Sequence, residues 1–289
     1  MEFPGEKLVI KLWETLAEKG IGTLLLPWHL KREGKARNDL RREELLMLAQ
    51  TELDAADIRA GRKYLDKDGS LQLLSNNNAG HSVTESNGKI DTTLRLPYLV
   101  DTVLRHRLSD DLRREINASK AIIYAEEVLA NDSQVPPERQ VNDDWLFTWR
   151  DYAGNISTED LQELWGKVLA GEIKSPGSYS LRTLEFIRGL SKEEAEQISK
   201  LASFVVEGFI IRSLKEYLTE QGISFDFLLT MQELGLLSGV ESLGFRRTFK
   251  SVVTGQFVMG LRSNRKVILA KHEDPHKELF LDVYKLTVV

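Results

Sequence analysis

Between Ser157 and Ala195 the chain repeats one device: a helix-capping residue, an apolar stripe at helical spacing, then a breaker. A segment built this way folds as short helices turned back on one another. Ser157 is placed as an N-cap, with Asp160 three residues on as a variant capping box. Leu161, Leu164, Trp165, Val168 and Leu169 follow at i, i+3, i+4, i+7 and i+8, which is one apolar stripe. Gly171 stands where a left-handed C-cap would stop the helix, and Ser175-Pro176-Gly177 turns the chain. Ser180 caps a second helix that groups Leu181, Leu184, Ile187 and Leu190. Ser191 and Glu194 form a full capping box for a third, running past Phe204.

The rest of the chain is read against this helical centre. Residues 6–19 predict an amphipathic helix, with Val9, Leu12, Trp13, Leu16 and Ala17 on one face and Lys11, Glu14 and Glu18 on the other. Gly20 and Gly22 end it, and Pro27 marks a second break. Residues 34–64 predict a long charged helix in which Leu45, Ala49, Ala56 and Ala60 recur, a seam suited to packing on another helix, including one from another chain. Periodicity is lost over 65–95, rich in Asn, Ser, Gly and Thr, which reads as a flexible linker. Helix returns over 97–130 and breaks at 131–141 around "VPPE". In the tail, "SFDFLLTMQELGLLSG" predicts a short helix ending at Gly235. The runs "RRTFKSVVT", "QFVMGL", "KVILAK" and "ELFLDVYKLTVV" predict strands. The expected fold is mainly α, with a small C-terminal α+β, winged-helix-like unit. Its expected parts are 1–64, the 65–95 linker, a central helical domain over 96–222, and 223–289.

Composition removes several functions. The 289 residues include no cysteine, so disulfides, thiolate metal sites and a cysteine nucleophile are excluded. That fits a cytoplasmic location. A net charge of -5 is not that of a global nucleic-acid binder, so nucleic acid is the less favoured partner. The first residues lack the charge order and cleavage pattern of a signal peptide. The longest apolar run, Ile21 to Trp28, is far short of the ~20 residues a spanning helix needs.

Chemistry-bearing residues were weighed against plainer roles. Trp145, Trp149 and Trp165 could stack a ligand, but aromatics at helical spacing chiefly bury area. With Leu161, Leu164 and Leu169 they are expected to form a structural core. Asp143, Asp144, Asp151, Glu159, Asp160, Glu163 and Glu172 fall mostly at helix starts, where the helix dipole favours carboxylates. No histidine lies between His106 and His272 to join them as a metal ligand, and His29, His81 and His106 stand alone. His272 and His276 flank Pro275, which suits a hairpin loop better than a zinc-binding helix face. There is no Gly-rich phosphate loop, nucleophile elbow or kinase set. No residue is assigned a catalytic, cofactor-binding or metal role. Lys31, Arg32, Lys35, Arg37, Arg41 and Arg42 form a basic cluster that could meet an anionic surface, giving a peripheral membrane contact. The tail helix offers Asp226, Gln232 and Glu233 and no basic residue, which is poor equipment for reading DNA.

The segments "DDWLFTWRDYAGNISTEDLQELWGKVLAGEIKSPGSYSLRTL" carry a resemblance. Asp144, Trp145, Leu146, Ser157, Leu161, Gln162, Leu164, Trp165, Leu169 to Glu172, Pro176 to Ser178, Ser180 and Arg182 to Leu184 resemble the pattern of an uncharacterised bacterial family of unknown function. That family places an arginine before the second aromatic, where Thr148 stands here and Arg150 follows Trp149. More loosely, "GIGTLLLPWHLKRE" is similar to the start of abortive-infection alpha-like proteins, which implies a role in defence against phage. The expectation is a non-enzymatic interaction or sensor protein in antiphage defence, forming homo-oligomers through the 34–64 helix or binding a protein partner. The alternatives are a membrane-perturbing effector acting through residues 6–42, and a metal-dependent nuclease.

Overall fold

The structure, a computed structural model, describes residues 3–22, 24–25, 37–66, 68, 70–73, 96–251, 253–263 and 266–287, with backbone alone for 37–42 and 96–99. Two compact units divide the chain, Met1–Leu184 and Glu185–Val289.

The first unit is helical. α1 spans Glu6–Glu18, α2 Arg37–Arg59, α3 Leu96–Ala130, α4 Asp143–Ala153 and α5 Glu159–Lys174. A short antiparallel pair joins β1 (Lys63–Leu65), which starts where the helix expected over 34–64 has already ended at Arg59, to β2 (Leu71–Leu73) in the stretch expected to be linker. Residues 74–95 of that stretch, and Pro27, lie outside the described residues.

α3 is the axis of the unit, and α1, α2, α4 and α5 all pack on it. From Ile116 onward it is buried on almost every side, through Ile116, Ala118, Ala121, Ile122, Ile123, Ala125 and Leu129. α5 crosses it at Gly166, where an added Cβ would lie 2.7 Å from the Ala121 carbonyl oxygen and 2.5 Å from Tyr124 Cβ. Only glycine lets the two backbones meet there. α1 buries Leu8, Val9, Leu12, Trp13 and Leu16. It ends as its glycines predict: Gly20 adopts φ +64°, and the N–H of Ile21 reaches the Leu16 carbonyl.

Three sequence expectations need correction. The stripe of Leu45, Ala49, Ala56 and Ala60 is not the face that packs against the other described helices. The inward face of α2 is Leu48, Ala55 and Ile58, and the expected seam is exposed. Thr158, not Ser157, is the N-cap of α5, without a side-chain capping bond. Gly171 does not stop α5, which runs on to Lys174. Its missing side chain instead admits the Tyr179 ring, which would lie 2.7 Å from an added Cβ.

α6 (Leu181–Arg188) leads into the second unit with Leu184 buried and Leu181 exposed, not grouped as expected. Ser191 and Glu194 form the expected capping box of α7 (Lys192–Ala202), which ends at Ala202 rather than running past Phe204. Then follow β3 (Phe209–Ile211), a 3-10 turn over Arg212–Leu214, α8 (Lys215–Glu220) and α9 (Phe225–Glu233). After them come β4 (Leu237–Ser238), β5 (Phe245–Phe249), β6 (Phe257–Ser263), β7 (Lys266–His272) and β8 (Leu279–Leu286). The strand-like runs of the tail thus form strands. β8 is central: it pairs antiparallel with β3, β4 and β5, while β6 and β7 form a separate ribbon.

Successive side chains of a strand point to opposite faces, and β8 uses both. Tyr284 joins Leu201, Ile210, Leu218, Ile223, Leu228 and Met231 beneath the helices. Val283 joins Val206, Phe209 and Leu261 on the other side. This pairing explains why 185–222 clusters with the tail rather than with the central helices. β3 needs β8 as its partner, and Leu201 of α7 needs the helical face of the sheet. The fold is helix-rich, with its larger sheets confined to this C-terminal unit.

Candidate functional site

In the first unit, the motif residues converge on one corner. Asn142 caps α4 by accepting from the Trp145 N–H at 3.0 Å. Trp145, Leu146, Trp149 and Ala153 then face inward, and all are buried. Trp149 Nε1 donates to the Trp165 carbonyl at 3.0 Å, tying α4 to α5. Tyr152 meets the Trp165 ring edge-on at 6.0 Å. Trp165 and Leu169 are fully buried, while Leu161 and Leu164 are half-buried at the margin. The three tryptophans are almost wholly buried in the helix packing, so this corner is core.

Polar residues within the corner hold its turns, a role not read from the sequence. Asn117 of α3 donates to the Gly154 carbonyl at 3.0 Å. Gln162 donates to Asn117 Oδ1 at 3.2 Å and to the Ile156 carbonyl at 2.9 Å. Together they tie the α4–α5 turn to α3. Glu172 is buried, and its carboxylate accepts from the N–H groups of Gly177 at 2.5 Å and Tyr179 at 3.1 Å. It therefore closes the Pro-Gly turn. The signal was there: a polar residue recurring on an apolar face is kept for a buried partner.

Three of the other carboxylates have partners. Asp143 pairs with Lys19 at 2.8 Å, Glu163 with Lys167 at 2.7 Å, and Glu159 accepts from the Tyr124 hydroxyl at 2.9 Å. Among the described residues, no three His, Asp or Glu side chains converge as metal ligands. His272 closes β7, and its Nδ1 accepts from the Asp274 N–H at 3.1 Å within the following turn. Of the basic cluster, Lys31, Arg32 and Lys35 lie outside the described residues. Arg37, Arg41 and Arg42 begin α2, and their side chains are not described. The apolar face of α1, which a membrane-inserting role would need, is buried inside its own unit. No helix among the described residues is long and apolar enough to cross a membrane.

The second unit holds an open apolar groove of about 360 Å³ between α8 and α9. Leu218, Ile223, Leu228 and Tyr284 form its floor, with Phe225, Lys215 and Glu216 at the rim. Phe225 is 54% exposed, Tyr217 51% and Leu214 47%, unusual for side chains of this size. Glu216, Glu220, Asp226 and Glu233 are exposed on the same two helices. Across the unit, the basic residues of β5 are engaged. Arg246 pairs with Asp282 at 2.9 Å, and Arg247 lies over the Phe209 ring at 5.7 Å. Lys250, just beyond, pairs with Glu278 at 3.3 Å. The Arg246 guanidinium holds the Asp282 carboxyl below the usual carboxylate range, first through their hydrogen bond.

Residues 105–215 match a family model described as a protein of unknown function (DUF2806). The match begins within α3, takes in the whole Trp149–Trp165 corner, and ends at the start of α8. It agrees with the expected likeness to an uncharacterised family. No curated protein and no solved structure matches the chain.

Proposed function

We propose that this chain is a non-enzymatic interaction or sensor protein of bacterial antiphage defence, working in the cytoplasm. It associates with further copies of itself and takes a segment of a protein partner on its C-terminal unit. The defence assignment rests on the likeness of "GIGTLLLPWHLKRE" to abortive-infection alpha-like proteins. The partner-binding assignment rests on the second unit. Its element order, α7–β3–α8–α9–β4–β5–ribbon–β8 with β8 pairing β3, β4 and β5, supports a winged-helix-like reading. In such a unit, α9 would be the helix offered to a DNA groove.

One observation carries the choice of protein over DNA: the exposed side of α9 presents Phe225, Asp226 and Glu233, and no Arg or Lys. Base reading needs donors such as Arg, Lys, Asn or Gln, and affinity needs free cations for phosphates. An apolar groove with an exposed aromatic at its rim suits an amphipathic segment that brings an apolar anchor.

The test is a plaque assay on a host carrying the intact gene or a Phe225→Asp variant, with melting temperature checked for both. The expected result is reduced plaquing with the intact protein and loss of protection in the variant at unchanged stability. Protection against no phage of a broad panel, despite good expression, overturns the defence reading. Flotation with anionic liposomes at low salt would move the function to a membrane effector. Nucleic-acid cleavage that needs added divalent metal and stops with chelator would move it to a nuclease.

A further inference from the structure

α2 has two apolar faces. Leu48, Ala55 and Ile58 point into the unit. Leu46, Ala49, Leu53 and Ala56, with Ala60 in the turn just past the helix end, lie about half a turn away and are exposed, with Leu46 at 61% and Leu53 at 62%. The outer five are spaced three, four, three and four residues apart, the spacing of a two-helix seam. A helix packed only on its own chain needs one such face.

We propose that the outer face of α2 pairs antiparallel with the same face of a second copy, making a two-fold dimer in which Leu53 packs against the partner's Ala56 and Ala49 against the partner's Ala60. This deepens the self-association in the proposed function and rests on it.

Charge selects both occupant and direction. The residues flanking the seam are Gln50 and Asp57 on one side, and Glu52 and Arg59 on the other. In a parallel pair, Glu52 of one helix would face the partner's Asp57, like against like. In the antiparallel register, Glu52 faces the partner's Arg59, and Gln50 faces the partner's Asp57, each twice by symmetry. The ion pairs already present extend this pattern. Glu52 is held by Lys120 at 2.9 Å, and Arg59 by Asp110 at 3.3 Å. Across the interface the order becomes Lys120, Glu52, the partner's Arg59, the partner's Asp110, alternating in sign throughout. Glu52 and Arg59 keep 60% and 55% of their side-chain surface open, enough to bind on a second side. Size agrees with charge, since Leu against Ala interdigitates where Leu against Leu would hold the helices apart. The seam thus complements itself.

The test begins with the mass of the full chain at tens of micromolar by sedimentation equilibrium. A dimer is expected, with Leu53→Glu monomeric at unchanged far-UV circular dichroism. Glu52→Arg should weaken the dimer at least tenfold, and adding Arg59→Glu should recover part of that loss, the remainder being the like charges then set beside Lys120 and Asp110. Direction is read by oxidation, because the chain has no cysteine of its own. Ala49→Cys combined with Ala60→Cys should cross-link to a covalent dimer, and Ala60→Cys alone should not. A monomeric native chain, a dimer indifferent to Leu53→Glu, or cross-linking by Ala60→Cys alone overturns the proposal. None of these readouts depends on phage, so this proposal and the defence assignment fail separately.

Discussion

α5 and α2 are built from the same Leu, Ala and charged residues, yet use them in opposite ways. α5 buries Trp165, Val168, Leu169, Ala170 and Ile173 in one continuous surface, narrowed at Gly166 so that α3 can approach. α2 divides its apolar residues between an inner and an outer face, and the outer one is exposed among the described residues. Periodicity shows that a helix has an apolar face. It does not say what covers that face. In α5 the glycine at the crossing point settles the question, because only a close neighbour requires it.

The largest expected effect sharpens this contrast directly. Trp165→Ala should cost about 3–5 kcal/mol of unfolding free energy, from lost burial and the cavity left behind. Leu53→Ala, on the outer face of α2, should change the stability of the monomer by less than about 0.5 kcal/mol. Urea unfolding at protein concentrations low enough to keep the chain monomeric measures both. Similar losses for the two would mean that Leu53 is covered within its own chain.

A smaller effect separates polar from apolar support at the end of α5. Glu172→Ala strands the N–H groups of Gly177 and Tyr179, which now share its carboxylate. The expected cost is about 1–3 kcal/mol, the usual penalty for leaving a buried polar group unpaired. Amide exchange should quicken at Gly177 and Tyr179 before it quickens in α4. Glu172→Gln should recover part of the loss, since its amide oxygen can still accept one bond. Equal losses in the two variants would mean that the charged carboxylate carries the effect, and that neither side-chain volume nor a single retained acceptor contributes.

These residues also mark how far the sequence was readable. α1, α3, the capping box at Ser191, the burial of the three tryptophans and the strands of the tail follow from local pattern. The misread features all depended on a distant partner. Gly171 looks like a C-cap until Tyr179 folds over it. Glu172 looks like a solvated helix residue until the turn beyond closes on its carboxylate. The two faces of α2 carry similar residues, and only the position of α3 decides which lies inside. "FII" over 209–211 is too short to announce a strand, and β8, which makes it one, comes near the end of the chain. The exposed groove of the second unit was hidden for the same reason. Leu214, Tyr217 and Phe225 resemble core residues in composition, and the fold leaves them outside.

The smallest effect lies at the edge of the α3–α5 contact and is read through pH. Tyr124 packs beside Gly166 and donates its hydroxyl to Glu159 at 2.9 Å. Partial burial, and then the hydrogen bond to the Glu159 carboxylate, push its ionisation up to about 12. An unfolded tyrosine ionises near ~10. The folded state therefore holds the phenolic proton more tightly. The resulting stabilisation is fully present below pH ~10 and is lost as pH rises from there toward about 12. At neutral pH, Tyr124→Phe should lower stability by about 1 kcal/mol or less, because the pair is only part-buried and its groups can turn to water instead. The gap between native and variant melting temperatures should then shrink as pH climbs past ~10. Absorbance titration of the phenolates should lose one late-titrating component in the variant. A gap that does not change with pH would show that Tyr124 supports the α5 crossing by packing alone, and that its hydroxyl adds nothing to the apolar contact around Gly166.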